Sequence, residues 1–235
     1  MRAHNVTSYE EYLAILERVP EELQKLSDTL TINVTKFFRN IELWQRLRAD
    51  IIPGLWEAGG RTVRVWSAGC ASGEEPYSLA MLFADGADRA GRPEWMRRLA
   101  IDATDIDRVC LDRARIGAYP TAAFSEAPAE LVSAYTEASP DGGRMVTDQI
   151  RRAVHVNRLD LTRDAPRHPL YDLVVCRNVL IYFDRAMQER LFALFADALR
   201  PGGILVLGKV ETILGPTRER LELVDARERV YRRPA

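Results

Sequence analysis

The sequence predicts a doubly wound α/β fold: a mostly parallel β-sheet with helices on its faces, preceded by a short helical segment and carrying a small inserted β element. Three observations lead there. Short apolar runs of strand length recur from residue 61 onward. Longer stretches of helix-forming composition separate them, as strand-helix-strand units require. One interval, residues 120–153, breaks the alternation with Pro120, Pro128, Pro140 and an Asp141-Gly142-Gly143 turn.

Taken in order, Ser8 with Glu11 forms a capping-box pattern, and Tyr9, Tyr12, Leu13 and Leu16 recur at helical spacing. Pro20 interrupts that helix and suits the first position of a second, which carries Leu23, Leu26 and Leu30. A third helix with Trp44, Leu47 and Ile51 meets Pro53 and ends by Gly59-Gly60. The expected strands are Thr62–Trp66, Leu99–Ala103, Val154–Val156, Asp172–Cys176 and Ile204–Leu207. Helices are expected over Glu75–Phe83, Asp107–Ala114 and Arg185–Leu199. Leu221–Val224 and Arg229–Arg232 suit an antiparallel hairpin at one sheet edge. The expected organisation is therefore residues 1–58 as helical segment and connector and residues 59–235 as the α/β domain, with the insert at about 120–153.

Composition removes several functions. A formal net charge of −1 over 235 residues supplies no long-range field for nucleic acid or anionic lipid. No apolar run approaches the roughly 20 residues of a spanning helix, and Met1–Glu11 lacks the apolar stretch of a secretory signal. A cytoplasmic protein without membrane insertion is expected. Cys70, Cys110 and Cys176 form no C-x-x-C pair, and His4, His155 and His168 have no spacing that gathers them around a metal. Neither a disulfide framework nor a metal is expected.

In open α/β sheets ligands sit beyond the carboxyl ends of the strands, so the residues after each apolar run are the informative ones. After the first strand, the small-residue loop from Ser67 opens into a helix at Glu74-Glu75-Pro76-Tyr77. The loop lacks the third glycine of G-x-G-x-x-G and any G-K-[ST], and its two carboxylates would repel a pyrophosphate. They suit a cationic, hydroxyl-bearing ligand such as S-adenosylmethionine; the plainer alternative is that both acids favour a helix amino terminus. After the second strand, Asp105 is placed to hold a ribose diol, whereas Asp107 suits a helix N-cap. After the fourth come Arg177, Asn178 and Tyr182, with Asp184 as the cap of the next helix. Asn33, Thr35 and Arg39 lie together in the connector; a ligand or solvent could face them.

Four stretches occur together: T-x-N-x-T-x-F-F-R at 31–39, W-S-A-x-x-x-x-G-E-E-P-Y-S at 66–78, D-I-D at 105–107 and C-R-N-V-x-I-Y-F-D at 176–184. In that order they resemble the chemoreceptor glutamate O-methyltransferase family, CheR, and the resemblance spans residues 31 to about 211. It implies the Rossmann-like, seven-stranded class I fold of S-adenosylmethionine-dependent methyltransferases and a protein-glutamate O-methyltransferase acting on a chemoreceptor cytoplasmic domain. It also implies cofactor contacts from Asn33, Thr35, Arg39, Glu75, Asp105, Arg177 and Asn178, and looser ones from Asp160 and Leu161, where Asp replaces the family's Asn. Arg39 and Tyr182 correspond to residues near the transferred methyl. Two features depart from the family. Only about thirty residues precede the first motif, fewer than the family's helical amino-terminal domain has, and G-H-S-E becomes Gly208-Lys209-Val210-Glu211. Those departures keep two alternatives open: a related methyltransferase acting on another protein or small-molecule carboxylate, and a non-catalytic cofactor-binding signalling module.

Overall fold

The computed structural model describes residues 6, 8–19, 22, 26, 35–57 and 61–235. The chain divides into two compact units, Met1–Val34 and Thr35–Ala235. In the first, helix α1 (Tyr9–Arg18) begins as the capping box predicts, with the Glu11 N–H donating to Ser8 Oγ at 3.1 Å. The expected helix after Pro20 and the stretch containing Asn33 lie largely outside the described residues, and Asn33 itself is outside them.

The second unit opens with α2 (Ile41–Arg46), a π turn (Leu47–Ile51) and α3 (Ile52–Glu57). Pro53 does not stop the helical path. It lies just after the π turn, whose wider winding absorbs the change of register at a position where proline supplies no N–H.

There follow β1 (Val63–Ala68), α4 (Glu74–Arg89), β2 (Leu99–Asp105), α5 (Arg108–Ile116), β3 (Ala118–Tyr119), α6 (Ala129–Tyr135), β4 (Thr136–Ala138), β5 (Arg144–Val146) and α7 (Asp148–Arg152). The chain ends with β6 (Val154–Arg158), β7 (Tyr171–Cys176), α8 (Arg185–Ala198), β8 (Leu199–Leu207), β9 (Glu222–Asp225) and β10 (Val230–Arg232). Seven strands form one sheet in the order β6-β2-β1-β7-β8-β10-β9, parallel except for β10, which runs antiparallel to both β8 and β9. This is the doubly wound, Rossmann-like class I methyltransferase architecture. From β1 the chain proceeds outward to β2 and β6, then returns to place β7 on the other side of β1. The order therefore reverses between β1 and β7, where such sheets open a crevice at their carboxyl ends.

Successive strand residues serve opposite faces. Val65, Ile101, Leu173, Val175 and Val206 join the core layer that contains Leu79 and Phe83 of α4; Trp66, Val174, Cys176 and Leu205 join the layer containing Phe192 and Phe195 of α8. Covering both faces explains why every residue of β7 is buried and why its sequence shows no alternation. Trp66 is fully buried; its indole N–H donates to Thr104 Oγ1 at 2.8 Å, satisfying the polar atom of a large apolar side chain. Cys70, Cys110 and Cys176 are all buried in this unit, and no disulfide joins them.

Two elements exceed what their local sequence announces. β8 begins at Leu199 opposite Tyr171 and resumes at Ile204 opposite Leu173, so residues 200–203, Arg-Pro-Gly-Gly, bulge from the ladder. The insert is less purely β than expected. Its three-stranded sheet, β3-β5-β4, starts at Ala118, and helices α6 and α7 supply more of the insert than the strands do.

Candidate functional site at the carboxyl ends of the strands

After β1 the chain folds over the end of β2: the Gly69 and Cys70 N–H groups donate to Thr104 O at 2.8 and 3.0 Å. Gly69 has φ +82°, and a Cβ there would lie 2.3 Å from Val179 Cγ2. A glycine is therefore required for the loop after β1 to approach the segment after β7. Gly73, at φ +99°, turns the chain into α4.

The two acids that open α4 have different roles. Glu74 accepts from its near neighbour Ser72, whose hydroxyl lies 3.0 and 2.8 Å from the two carboxylate oxygens. Glu75 faces the sheet end. Ser67 Oγ donates to its Oε1 at 2.8 Å, and Arg177 Nη1 lies 3.6 Å from Oε2. Burial is the main influence on both members of this pair, raising the Glu75 carboxyl above its ordinary pKa and lowering the Arg177 guanidinium below its own. Asp105 lies at the end of β2, where Oδ2 accepts the Ala71 N–H at 2.8 Å and Oδ1 the Asp107 N–H at 3.0 Å; burial raises its carboxyl as well. Asp107 caps α5 by accepting from Val109 and Cys110, and Asp184 caps α8 by accepting from Met187, as their spacing predicts.

Arg177 joins distant parts of the site. Its Nη2 donates to Arg39 O at 3.0 Å and Asn40 Oδ1 at 2.9 Å, and its guanidinium carbon lies 5.7 Å from the centre of the Trp44 ring. The Trp44 indole N–H donates to the same Arg39 carbonyl at 2.9 Å. The connector is further fixed by buried Phe37 and Phe38, the latter at φ +56° with its N–H on Ser78 Oγ at 3.0 Å. A left-handed phenylalanine costs of order 1 kcal/mol or more and persists only where its surroundings determine it. Thr35 and Arg39 are half-buried beside it.

Asn178, half-buried and at φ +59°, and the exposed Tyr182 follow Arg177; Tyr182 closes a 3-10 turn over Leu180–Tyr182. Asp160 is turned into its own loop, with Oδ1 accepting from Thr162 N and Oγ1 at 2.9 and 2.7 Å. The Thr162 hydroxyl is the largest influence lowering its carboxyl pKa. Leu161 packs half-buried on the layer containing Val174.

Short-range sequence patterns mark neither Ser67 nor Trp44 as the partners of Glu75 and Arg177, and they give Glu211 no role of its own. Buried Glu211 accepts backbone N–H groups from Asn178, Val179, Leu180 and Gly208. Its only sequence signal was membership of the Gly208–Glu211 stretch. Among the described residues, no helix is long and apolar enough to cross a membrane, and no group of three or more His, Cys, Asp or Glu is placed to hold a metal ion.

Residues 33–230 match the family model described as CheR methyltransferase, SAM binding domain. The chain is 38% identical over 210 residues to a chemotaxis protein methyltransferase of Listeria innocua, covering 89% of this chain and 76% of that one. It is 32% identical over 222 residues to a chemotaxis protein methyltransferase of Borreliella burgdorferi, covering 92% and 77%. An uncharacterized 104.1 kDa protein of Rhodobacter capsulatus matches 98% of the chain at 35% identity, with the match occupying 24% of its own length.

Proposed function

This chain belongs to the CheR methyltransferase family, and on that premise we propose that it methylates glutamate side chains of a chemoreceptor cytoplasmic domain, with S-adenosylmethionine held at the carboxyl ends of β1, β2 and β7. The observation that carries this reading is the Glu75–Arg177 pair at the switch point, its arginine buried and its acid largely enclosed, joined through Arg177 to the Arg39 carbonyl.

The residues present fit the cofactor. Glu75 and Asp105 suit an ammonium and a ribose diol and would repel a phosphate, while the buried Nε of Arg177, which has no hydrogen-bond partner among the described residues, suits a carboxylate. Asn178 of the same loop and, more loosely, Asp160 and Leu161 complete the set, together with Thr35 and Arg39 from the connector and Asn33, which lies outside the described residues. When bound, S-adenosylmethionine supplies an electrophilic methyl on a sulfonium.

The chain's own residues then have a limited task. A glutamate acceptor, with a reference pKa of about 4.3, is already ionised at neutral pH, so no general base is needed. Alignment contributes about 7 to 11 kcal/mol in well-oriented reactions. The Arg39 guanidinium orients the acceptor carboxylate, and Tyr182 shapes the position at which the acceptor meets the methyl. Because Tyr182 is exposed, a side chain presented by another protein can reach it. The reaction needs no metal and takes place in the cytoplasm, where receptor tails are accessible.

The test is incubation with methyl-labelled cofactor and a chemoreceptor cytoplasmic fragment. Label released from the fragment by mild alkali supports glutamyl esterification. Alkali-stable label, or label only on small molecules, overturns it.

A further inference from the structure

We infer that Glu211 is the positioning residue of this site, a buried carboxylate that sets the Asn178–Tyr182 segment by accepting four backbone N–H groups. Its Oε2 accepts from Gly208 at 2.6 Å and Asn178 at 3.2 Å; its Oε1 accepts from Leu180 at 2.8 Å and Val179 at 3.0 Å. The donors come from segments following two different strands, β7 and β8, so one side chain fixes the two segments relative to each other. The fixation reaches Tyr182, whose N–H donates to Val179 O at 3.2 Å and closes the turn that Glu211 holds.

Three features argue that this contact is built for its purpose. The held segment begins at Asn178, whose φ of +59° is a left-handed conformation that asparagine tolerates better than most residues. A Cβ at Gly208 would lie 2.7 Å from Glu211 Oε2 and 2.9 Å from the Asn178 N, so only glycine leaves room for the carboxylate. The side chains at 209 and 210 take no part in the four bonds, which explains how Lys209-Val210 can stand between Gly208 and Glu211 without altering them.

The inference deepens the proposed function and rests on the placement of Tyr182 beside the acceptor. Glu211→Gln turns one acceptor into a donor. Whichever way the amide faces, two of the four N–H groups lose their partner. Hydrogen exchange at the 178–180 amides should quicken while β1 and β2 keep wild-type protection. Turnover of a receptor cytoplasmic fragment should fall about 100-fold, the cost of misplacing a reacting group by roughly an ångström. In a Tyr182→Phe background the same substitution should cost less than it does in the wild type, because part of its effect passes through that side chain. Gly208→Ala, which displaces the carboxylate without changing it, should reproduce the exchange result and keeps the test available if Glu211→Gln folds poorly. Unchanged exchange in both variants, or losses that simply multiply with Tyr182→Phe, overturns the role of Glu211. Wild-type turnover by Tyr182→Phe overturns the placement of Tyr182 instead, so the two assignments fail separately.

Discussion

Asp172, buried, and Glu75, largely enclosed, are acids at opposite ends of the same sheet, and they are partnered very differently. Asp172, near the amino end of β7, is met by Arg61 Nη1 at 2.7 Å, Arg200 Nε at 2.9 Å and the Arg64 N–H at 2.8 Å. Glu75 has the Ser67 hydroxyl at 2.8 Å, but its cation stands off at 3.6 Å, and burial leaves its carboxyl pKa raised. The first acid is closed by contacts at hydrogen-bond length. The second keeps charge that its own chain leaves incompletely answered. An acid anchored in this way contributes to holding the fold, whereas an acid left in this way is suited to a visiting cation.

Substitutions at the two ends should separate stability from chemistry. The largest effect is expected at the open end, where Arg39→Ala should lower turnover of a receptor fragment about 100-fold by misaligning the acceptor. Calorimetric affinity for S-adenosylhomocysteine should fall much less; equal losses in both would refute the assignment of Arg39 to the acceptor. At the closed end, Asp172→Asn removes charge-assisted bonds and should cost about 2 to 3 kcal/mol in denaturant unfolding. The folded variant should still bind S-adenosylhomocysteine normally.

Glu75→Gln should behave in the opposite way. Its carboxyl is easier to protonate in the folded chain than in water, so neutralising it should leave the melting temperature unchanged or raised. Affinity for S-adenosylhomocysteine should fall about tenfold, the equivalent of roughly 1.4 kcal/mol. If Glu75→Gln unfolded as readily as Asp172→Asn, the distinction between the two ends would be lost.

The smallest effect concerns pH. A proton on Glu75 competes with a ligand cation, so cofactor affinity should begin to weaken, as pH falls, above the ordinary carboxylate range, and Glu75→Gln should flatten that slope. The free protein should show the reverse sign. Glu74, Glu75 and Asp105 all have raised folded-state pKa values. Their stabilising contribution is complete below the unfolded pKa and disappears as pH rises through the folded one.

Much of this comparison was legible before the structure. Strand cores, the caps Asp107 and Asp184 and the loop after β1 follow from short-range patterns, which need only a few neighbouring residues. The different fates of Glu74 and Glu75 do not, because adjacent acids at a helix start look alike until the sheet decides which one it faces. Nor could spacing show that Arg177 reaches Arg39, 138 positions away. Helices α6 and α7 were missed for another reason: at 7 and 5 residues they are too short for a 3.6-residue period to register, and prolines and glycines around them dominate the local signal.

The three sealed thiols make the α/β unit its own recorder. Burial raises all of them, Cys110 to about 12, so an alkylating reagent, an electrophile that the thiolate must attack, meets scarcely any nucleophile while the layers stay shut. Under native conditions the pace of alkylation therefore counts openings of the chain, and a ligand that keeps the layers shut will announce itself as a slowed clock.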